Sequence, residues 1–461
     1  MARNKKWLFV FMGIYALGHI PFLFTGFGEP DGWRNGLVAL RLAKGLGYIP
    51  VRFPGFPVID VIYGMMATHF PWESLWIYTN LLTLMITLVG IFYYFKIVHF
   101  HNISCPLATV SLLFFMPIIF VNASSSMDYL WTVTFILIAY WFLLRGKAVI
   151  GGIFLGMAIG TRLTTGIMGL PFLIFLIRNP DIFHPKIAFR SAFLFVFSAV
   201  TLSVGWYLPI FVKYQFGMFS ILFIPRDFLR SGYYILQEFL GLPGTIMLLM
   251  LLVSKRKEYR RWNWELSLWS TIIIAYLTLF LIKTEKVAYL IPMLPFMSLW
   301  IARWLGGKSV TILTSLVVFN NILSFLVIQP STTGLEMKWA SKGMAWQKYN
   351  AYRSYLQDAD YFIHYRFQPD SRVIAGWHFP GIAYQLECPT YKTIQADFLA
   401  NKVTFSYGLE KEKRKNIYLV QGTRRLKRSD PIWDKVIILH PPSTLERGDL
   451  GPPLPVGQRG L

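Results

Sequence analysis

The chain has 461 residues, 55% of them hydrophobic and only 15% charged, where soluble domains carry about 25% charged residues. Apolar runs recur from Trp7 to Ile328, and several reach the roughly 20 residues needed to cross a bilayer, which excludes a soluble globular fold. The net charge of +22 sits largely in short loops between these runs, as the positive-inside rule describes. No basic block is interleaved with aromatics on a soluble stretch, so nucleic acid is excluded as a partner.

Taken in chain order, the runs predict a polytopic α-helical membrane protein of about eleven transmembrane helices. The first, 7–27, follows "MARNKK" and lacks a small-x-small cleavage site, so it reads as an uncleaved span. A long loop then holds "GEPDGWRNGLVALRLAKGLGYIPVRFPGFP". Within it, 33–46 has apolar residues at helical spacing, and Asp31 stands at the start, where a carboxylate caps free amides. The segment 57–71, with Asp60 inside, is either a short span or a juxtamembrane helix in the interface; its length and its carboxylate favour the second. Further spans fall at 74–97, 106–122, 127–144, 148–160, 163–177, 188–210, 234–254, 264–282, 287–304 and 309–328. The pair 148–160 and 163–177 is short and glycine-rich.

With the N-terminus in the cytoplasm, the segments on the inner side are strongly basic, most clearly "KRKEYRR" at 255–261, while those on the outer side mix both signs. Odd parity then puts 329–461 outside. There the long apolar runs stop, and "SRVIAGW", "NIYLVQG" and "KVIILHPP" read as short strands beside an amphipathic helix in "GMAWQKYNAYRSYLQDADYFIHY". The expected organisation is a transmembrane domain over 1–328 and a small extracytoplasmic α/β domain over 329–461. In the latter, "KEKRK" at 411–415 and "RRLKR" at 424–428 are solvated basic loops or contacts to anionic lipid. Cys105 and Cys388 fall on opposite sides, which excludes a disulfide or a shared thiolate metal site.

The residues able to carry chemistry cluster on the outer side. Asp31, with Glu29 two residues before it, either caps its helix or accepts a proton from a hydroxyl; together the two carboxylates are candidates for a divalent cation. Arg52 precedes "FPGFP", a turn rigid enough to hold a guanidinium against a phosphate. Asp128, in "NASSSMDYLW", caps a span or serves a site. Arg162, between the two short spans, either snorkels to a headgroup or meets an anion. Lys283, Lys286 and Tyr289 follow in "IKTEKVAYLIPMLPF", with the two lysines about one turn apart. Arg226, Asp227 and Arg230 lie among aromatics in the 212–233 loop. No phosphate loop or dinucleotide fingerprint occurs.

The order of these fragments resembles the polytopic membrane glycosyltransferases that use lipid-phosphate-linked sugars, the GT-C superfamily with its protein mannosyltransferases and aminoarabinose transferases. The likeness rests on Asp31 in "GEPDGW", the "RFPGFP" turn, the "SSSMDYLW" aspartate, "GMAIGTRLTTGIMGLPFLI" and "KVAYLIPMLPF". It departs from that pattern in one respect: Pro30 separates Glu29 from Asp31, where many relatives have adjacent acidic residues. The resemblance implies transfer of a sugar from a polyprenyl-phosphate donor, with inversion, to a glycan, glycolipid or protein acceptor at the outer face of the cell membrane. It implies Asp31 as the catalytic carboxylate, Arg162 and Lys286 at the phosphate, and Arg52 and Asp128 shaping the cavity. The competing readings are a transporter or flippase of lipid-linked glycans and a non-catalytic membrane scaffold. A transporter built from inverted repeats would show broken or charged helices in matching halves.

Overall fold

A computed structural model describes residues 2–50, 54–178, 185–215, 228–254, 264–282, 287–323, 326–331, 334–339, 342–364, 372–374, 384, 404–406, 417–420 and 436–439. The protein is predominantly helical, and five helical stretches among the described residues are long and apolar enough to cross a membrane: Lys6–Phe24, Trp72–Phe100, Ala188–Tyr214, Trp264–Ile282 and Val287–Leu305.

The chain opens with α1 (Ala2–His19), extended by a 3-10 turn to Phe24. The first long loop holds α2 (Pro30–Ala43) and α3 (Pro57–Ala67). Both begin with proline at the first turn, where the missing N–H has no helical partner to lose. At 11 residues, α3 spans about 17 Å, well short of the hydrocarbon core. Then come α4 (Leu75–Phe100), α5 (Pro106–Phe114), α6 (Pro117–Asn122), α7 (Tyr129–Leu144) and α8 (Ala148–Thr161). A 3-10 turn over Leu163–Met168 leads into α9 (Gly169–Arg178), followed by α10 (Pro185–Tyr214), α11 (Phe228–Phe239), α12 (Gly241–Ser254) and α13 (Trp264–Ile282). A 3-10 segment, Val287–Met293, precedes α14 (Leu294–Leu305) and α15 (Gly307–Ile322).

Three runs expected as continuous spans are interrupted. The 106–122 run breaks at Pro117, which begins α6, because proline cannot donate into the preceding turn. The 234–254 run breaks at Gly241, whose φ of +69° leaves the helical region. The 309–328 run ends as a helix at Ile322, and β1 (Leu326–Ser331) pairs antiparallel with β2 (Gly334–Trp339). Two consecutive asparagines, Asn320 and Asn321, close that helix, and the Ile322 carbonyl accepts the Gly343 N–H at 3.2 Å.

Buried almost throughout its length, α7 is the central helix, as expected of one apolar on every face. It packs between α4 and α8. The α8 sequence "GGIFLGMAIGT" places Gly152, Gly156 and Gly160 four residues apart, making one small-residue ridge that lets α10 approach closely. A methyl at Gly156 would come within 2.9 Å of the Ala199 carbonyl, and one at Gly160 within 2.7 Å of both Trp206 and Val58. A second i, i+4 pattern, Thr79–Thr83–Thr87, lies buried on α4; Thr83 and Thr87 each return a hydroxyl bond to the carbonyl four residues back at 2.9 Å.

The bundle has two polar ends. At one end, three separate parts of the chain meet: His101 just beyond α4, Glu265 in the first turn of α13 and Arg303 in the last turn of α14. At the other end, Gly28 of the loop before α2 packs on Ser125 and against Tyr352 of α16 (Met344–His364). Beyond α16 the described strands β3 (Arg372–Ile374), β4 (Thr404–Ser406), β5 (Ile417–Val420) and β6 (Val436–Leu439) form one sheet in the order β4-β3-β5-β6, antiparallel between β3 and β4 and parallel elsewhere.

Candidate functional site

The loops that meet at the second polar end are held by Asn80 of α4. Its amide donates to the Gly26 carbonyl at 2.7 Å, and its side-chain oxygen accepts the Ser126 hydroxyl at 2.7 Å. Asn35 of α2 donates to the Ser126 carbonyl at 3.1 Å. The start of α2 and the turn before α7 are thereby fixed to each other, although about ninety residues of chain separate them.

Asp31 lies in the first turn of α2, buried, and its Oδ1 accepts from Arg34 Nη1 at 2.8 Å. Glu29 precedes the helix as its N-cap residue without a side-chain cap bond. It lines a narrow cleft with Asn122, Glu238, Lys348 and Tyr352, in which Lys348 pairs with Glu238 at 3.7 Å. The Tyr352 phenol is pushed well above its ordinary range, first by burial and then by the Glu29 carboxylate. Glu29 and Asp31 therefore serve different neighbours. Arg34 already holds one Asp31 oxygen, and no group of three or more His, Cys, Asp or Glu gathers as metal ligands among the described residues.

Asp128 immediately precedes α7, yet its carboxylate caps nothing. It reaches Arg162 instead, with Nε donating to Oδ2 at 2.5 Å. Arg162 stands where α8 ends, in an extended conformation that breaks the helix before the 3-10 turn. It is 4% exposed, which rules out snorkelling to a headgroup. Its guanidinium lies 4.4 Å from the ring centre of Tyr129 and 4.7 Å from that of Tyr289, held between two aromatic faces. Arg162 Nη1 and Asp128 Oδ1 are buried with no hydrogen-bond partner among the described residues, and so is the hydroxyl of Thr164. Buried polar atoms are seldom left this way in folded proteins.

The structure thus brings Asp128, Arg162 and Tyr289 into one cluster and ties Asp31 to the adjoining layer. Arg52, Lys283 and Lys286 lie outside the described residues, as do Arg226, Asp227 and the Arg230 side chain. Lys283 and Lys286 belong to the segment joining α13 to the 3-10 turn that carries Tyr289.

Sequence reasoning passed over Asp60 as a site residue. It sits in the first turn of α3, 2% exposed, with Oδ2 accepting from the Tyr48 hydroxyl at 2.6 Å and the Phe56 N–H at 3.3 Å. Burial pushes its carboxyl up to about 7; the Tyr48 and Phe56 bonds oppose that shift, and the nearby Asp128 adds to it. The available signal was a carboxylate inside an otherwise apolar run.

No family model matches the chain, and no curated protein matches it. Among solved structures it is similar to ArnT from Cupriavidus metallidurans in the apo state, at 16% sequence identity and a TM-score of 0.47, over 65% of this chain and 60% of that one. The chain thus spans less than two thirds of that neighbour's length.

Proposed function

We propose that this protein is a membrane glycosyltransferase that moves a sugar from a polyprenyl-phosphate donor to an acceptor at the outer face of the membrane, with inversion. The observation that carries the reading is the Arg162 guanidinium: buried, held by Asp128 and two tyrosine rings, and with one nitrogen unpartnered. A fixed cation with an unused donor is suited to a phosphate oxygen on which negative charge builds as the sugar leaves. Lys283, Lys286 and Arg52 supply further positive charge in this reading, and Tyr289 orients the guanidinium.

In the transfer, an acceptor hydroxyl oxygen bonds to the anomeric carbon from the face opposite the phosphate. The bond from that carbon to the phosphate oxygen breaks, and its electron pair stays on the carrier phosphate. Asp31 takes the hydroxyl proton, with Arg34 keeping its carboxylate oriented. In this reading about eleven spans leave the N-terminus in the cytoplasm and residues 329–461 outside, as an α/β domain beside the acceptor.

The test is transfer by the purified protein in liposomes, offered a panel of polyprenyl-phosphate sugars with native membrane extract as acceptor source. Carrier-dependent product that vanishes in Asp31→Asn, with normal membrane insertion, is the expected result. An Asp31→Asn variant that keeps most activity rejects Asp31 as the base. Movement of the carrier between leaflets without product replaces the enzyme with a transporter.

A further inference from the structure

Asp60 stands outside the phosphate cluster but close to it. Val58, two residues before Asp60, and Trp206 of α10 both touch Gly160, two residues before Arg162. Asp60 is near enough to Asp128 for the two carboxylates to oppose each other's charge. The junction of α3, α8 and α10 therefore adjoins the position assigned to the donor phosphate.

The polar atoms at this junction are unevenly used. Asp60 Oδ2 is locked by the Tyr48 hydroxyl and the Phe56 N–H. Asp60 Oδ1 and Trp206 Nε1 are buried without a hydrogen-bond partner among the described residues. They are an acceptor that is anionic above its pKa and an indole donor. Leaving a carboxylate oxygen bare inside a protein is costly, and fixing the other oxygen so firmly aims the bare one. Tyr48, Trp206 and Tyr207 add aromatic surface around it. A hydrocarbon chain needs no polar partner here. A polyol presents donors and acceptors on one edge and an apolar C–H face on the other, which matches this mixture.

We infer that Asp60 is a specificity-determining residue, whose Oδ1 accepts a hydrogen bond from one hydroxyl of the donor sugar while Tyr48 holds the carboxylate in register. The inference rests on the proposed transferase reading and adds to it the group that reads the sugar. A site built to bond a hydroxyl discriminates strongly against the analogue lacking it, because the buried carboxylate is then left unpaired.

The experiment uses the full chain in liposomes with polyprenyl-phosphate-linked mannose, glucose and galactose, then singly deoxygenated forms of whichever is transferred. For wild type, loss of one particular hydroxyl should lower kcat/KM by about 10- to 100-fold, the range for a hydrogen bond to a charged group. Asp60→Ala should lower kcat/KM for the complete donor similarly and show no further loss with that one deoxy donor, while still losing on the others as wild type does. Tyr48→Phe, which only unlocks the carboxylate, should weaken selectivity at the same hydroxyl. A wild type that tolerates every deoxy donor within about threefold overturns the assignment even if Asp60→Ala fails to fold. So does an Asp60→Ala variant with an unchanged selectivity profile. Absence of transfer from these donors and from the wider sugar panel of the liposome assay sinks the transferase reading itself, and this inference with it.

Discussion

The two polar ends of the helical bundle use buried charge in opposite ways. At the His101 end the charged groups are all paired with one another. His101 Nδ1 donates to Glu265 Oε1 at 2.7 Å, its Nε2 meets the Tyr140 hydroxyl at 3.0 Å, and Arg303 reaches the other Glu265 oxygen at 3.3 Å. Arg303 also donates to the His101 carbonyl at 3.1 Å, closing the cluster on itself. At the Arg162 end, a buried ion pair of better geometry leaves Nη1 and Oδ1 idle, and Asp60 leaves Oδ1 idle beside it. A closed network fixes helices; an open one is stable only if something else completes it. On the proposed reading the first end serves folding and the second binding, and mutation can break that division.

The largest effect should come from Arg162→Met. Removing one partner of a buried pair leaves Asp128 uncompensated, at a cost of about 3–5 kcal/mol. The double variant Arg162→Met with Asp128→Leu should recover most of that stability, since an apolar pair of similar volume is often no worse than the ion pair. Transfer should stay absent in both. Thermal unfolding in detergent alongside the liposome assay checks this; a double variant with restored activity would make the pair structural and remove the contrast between the two ends.

Asp60 gives a pH signature next in size. Its carboxyl is raised by burial to about 7 from its ordinary value of 3.8, so the folded protein binds the proton more tightly than the unfolded chain. Stability is then greatest at low pH and falls as pH rises between those two values, by about 4 kcal/mol at most. The melting temperature of wild type should drop between pH 4 and pH 7 relative to that of Asp60→Asn, in which this slope is removed. Identical slopes in both proteins would mean that Asp60 is not held as the structure shows.

At the closed end, His101→Ala should cost about 1–3 kcal/mol, because Tyr140 and Glu265 lose a partner while buried or half-buried. Transfer per folded molecule should be unchanged. A fall in kcat/KM without a fall in melting temperature would place function at this end too.

Much of this architecture was legible in the sequence, and the misses have definite causes. Hydropathy finds apolar runs, so the positions of the helices emerge from it, but it averages over single residues. Pro117 and Gly241 act through one missing N–H and one positive φ, which an average over a window conceals. Arg162 and Asp128 were legible because each is an ionisable group near a span interior. That they pair with each other was not, because 34 positions separate them and the packing of α7 on α8, with Thr132 bonded to Thr161, brings them together. Asp60 was read as a marker of the interface. Its hydrogen bond from Tyr48 needs a bare Gly55, where a Cβ would come within 2.7 Å of the Tyr48 hydroxyl, and periodicity does not report such a contact.

The smallest effect concerns Tyr384, the one described residue between β3 and β4. Its hydroxyl donates to the Trp72 carbonyl at 2.6 Å, and its fully buried ring stands 4.9 Å from Phe27 and 5.6 Å from Trp33 by ring centres. Phe27 lies two residues before Glu29 and Trp33 two after Asp31, so this ring braces both ends of the segment bearing the candidate base. Tyr384→Phe keeps the ring packing and removes one hydrogen bond, for an expected loss of about 1 kcal/mol. Tyr384→Ala removes the packing as well and should cost about 3–5 kcal/mol. If the C-terminal segment braces the site, Tyr384→Phe should leave transfer nearly unchanged, and Tyr384→Ala should lower kcat more than its residual fold accounts for. Equal activity per folded molecule in all three proteins would separate the C-terminal region from the site and leave the open end to the transmembrane helices and their loops alone.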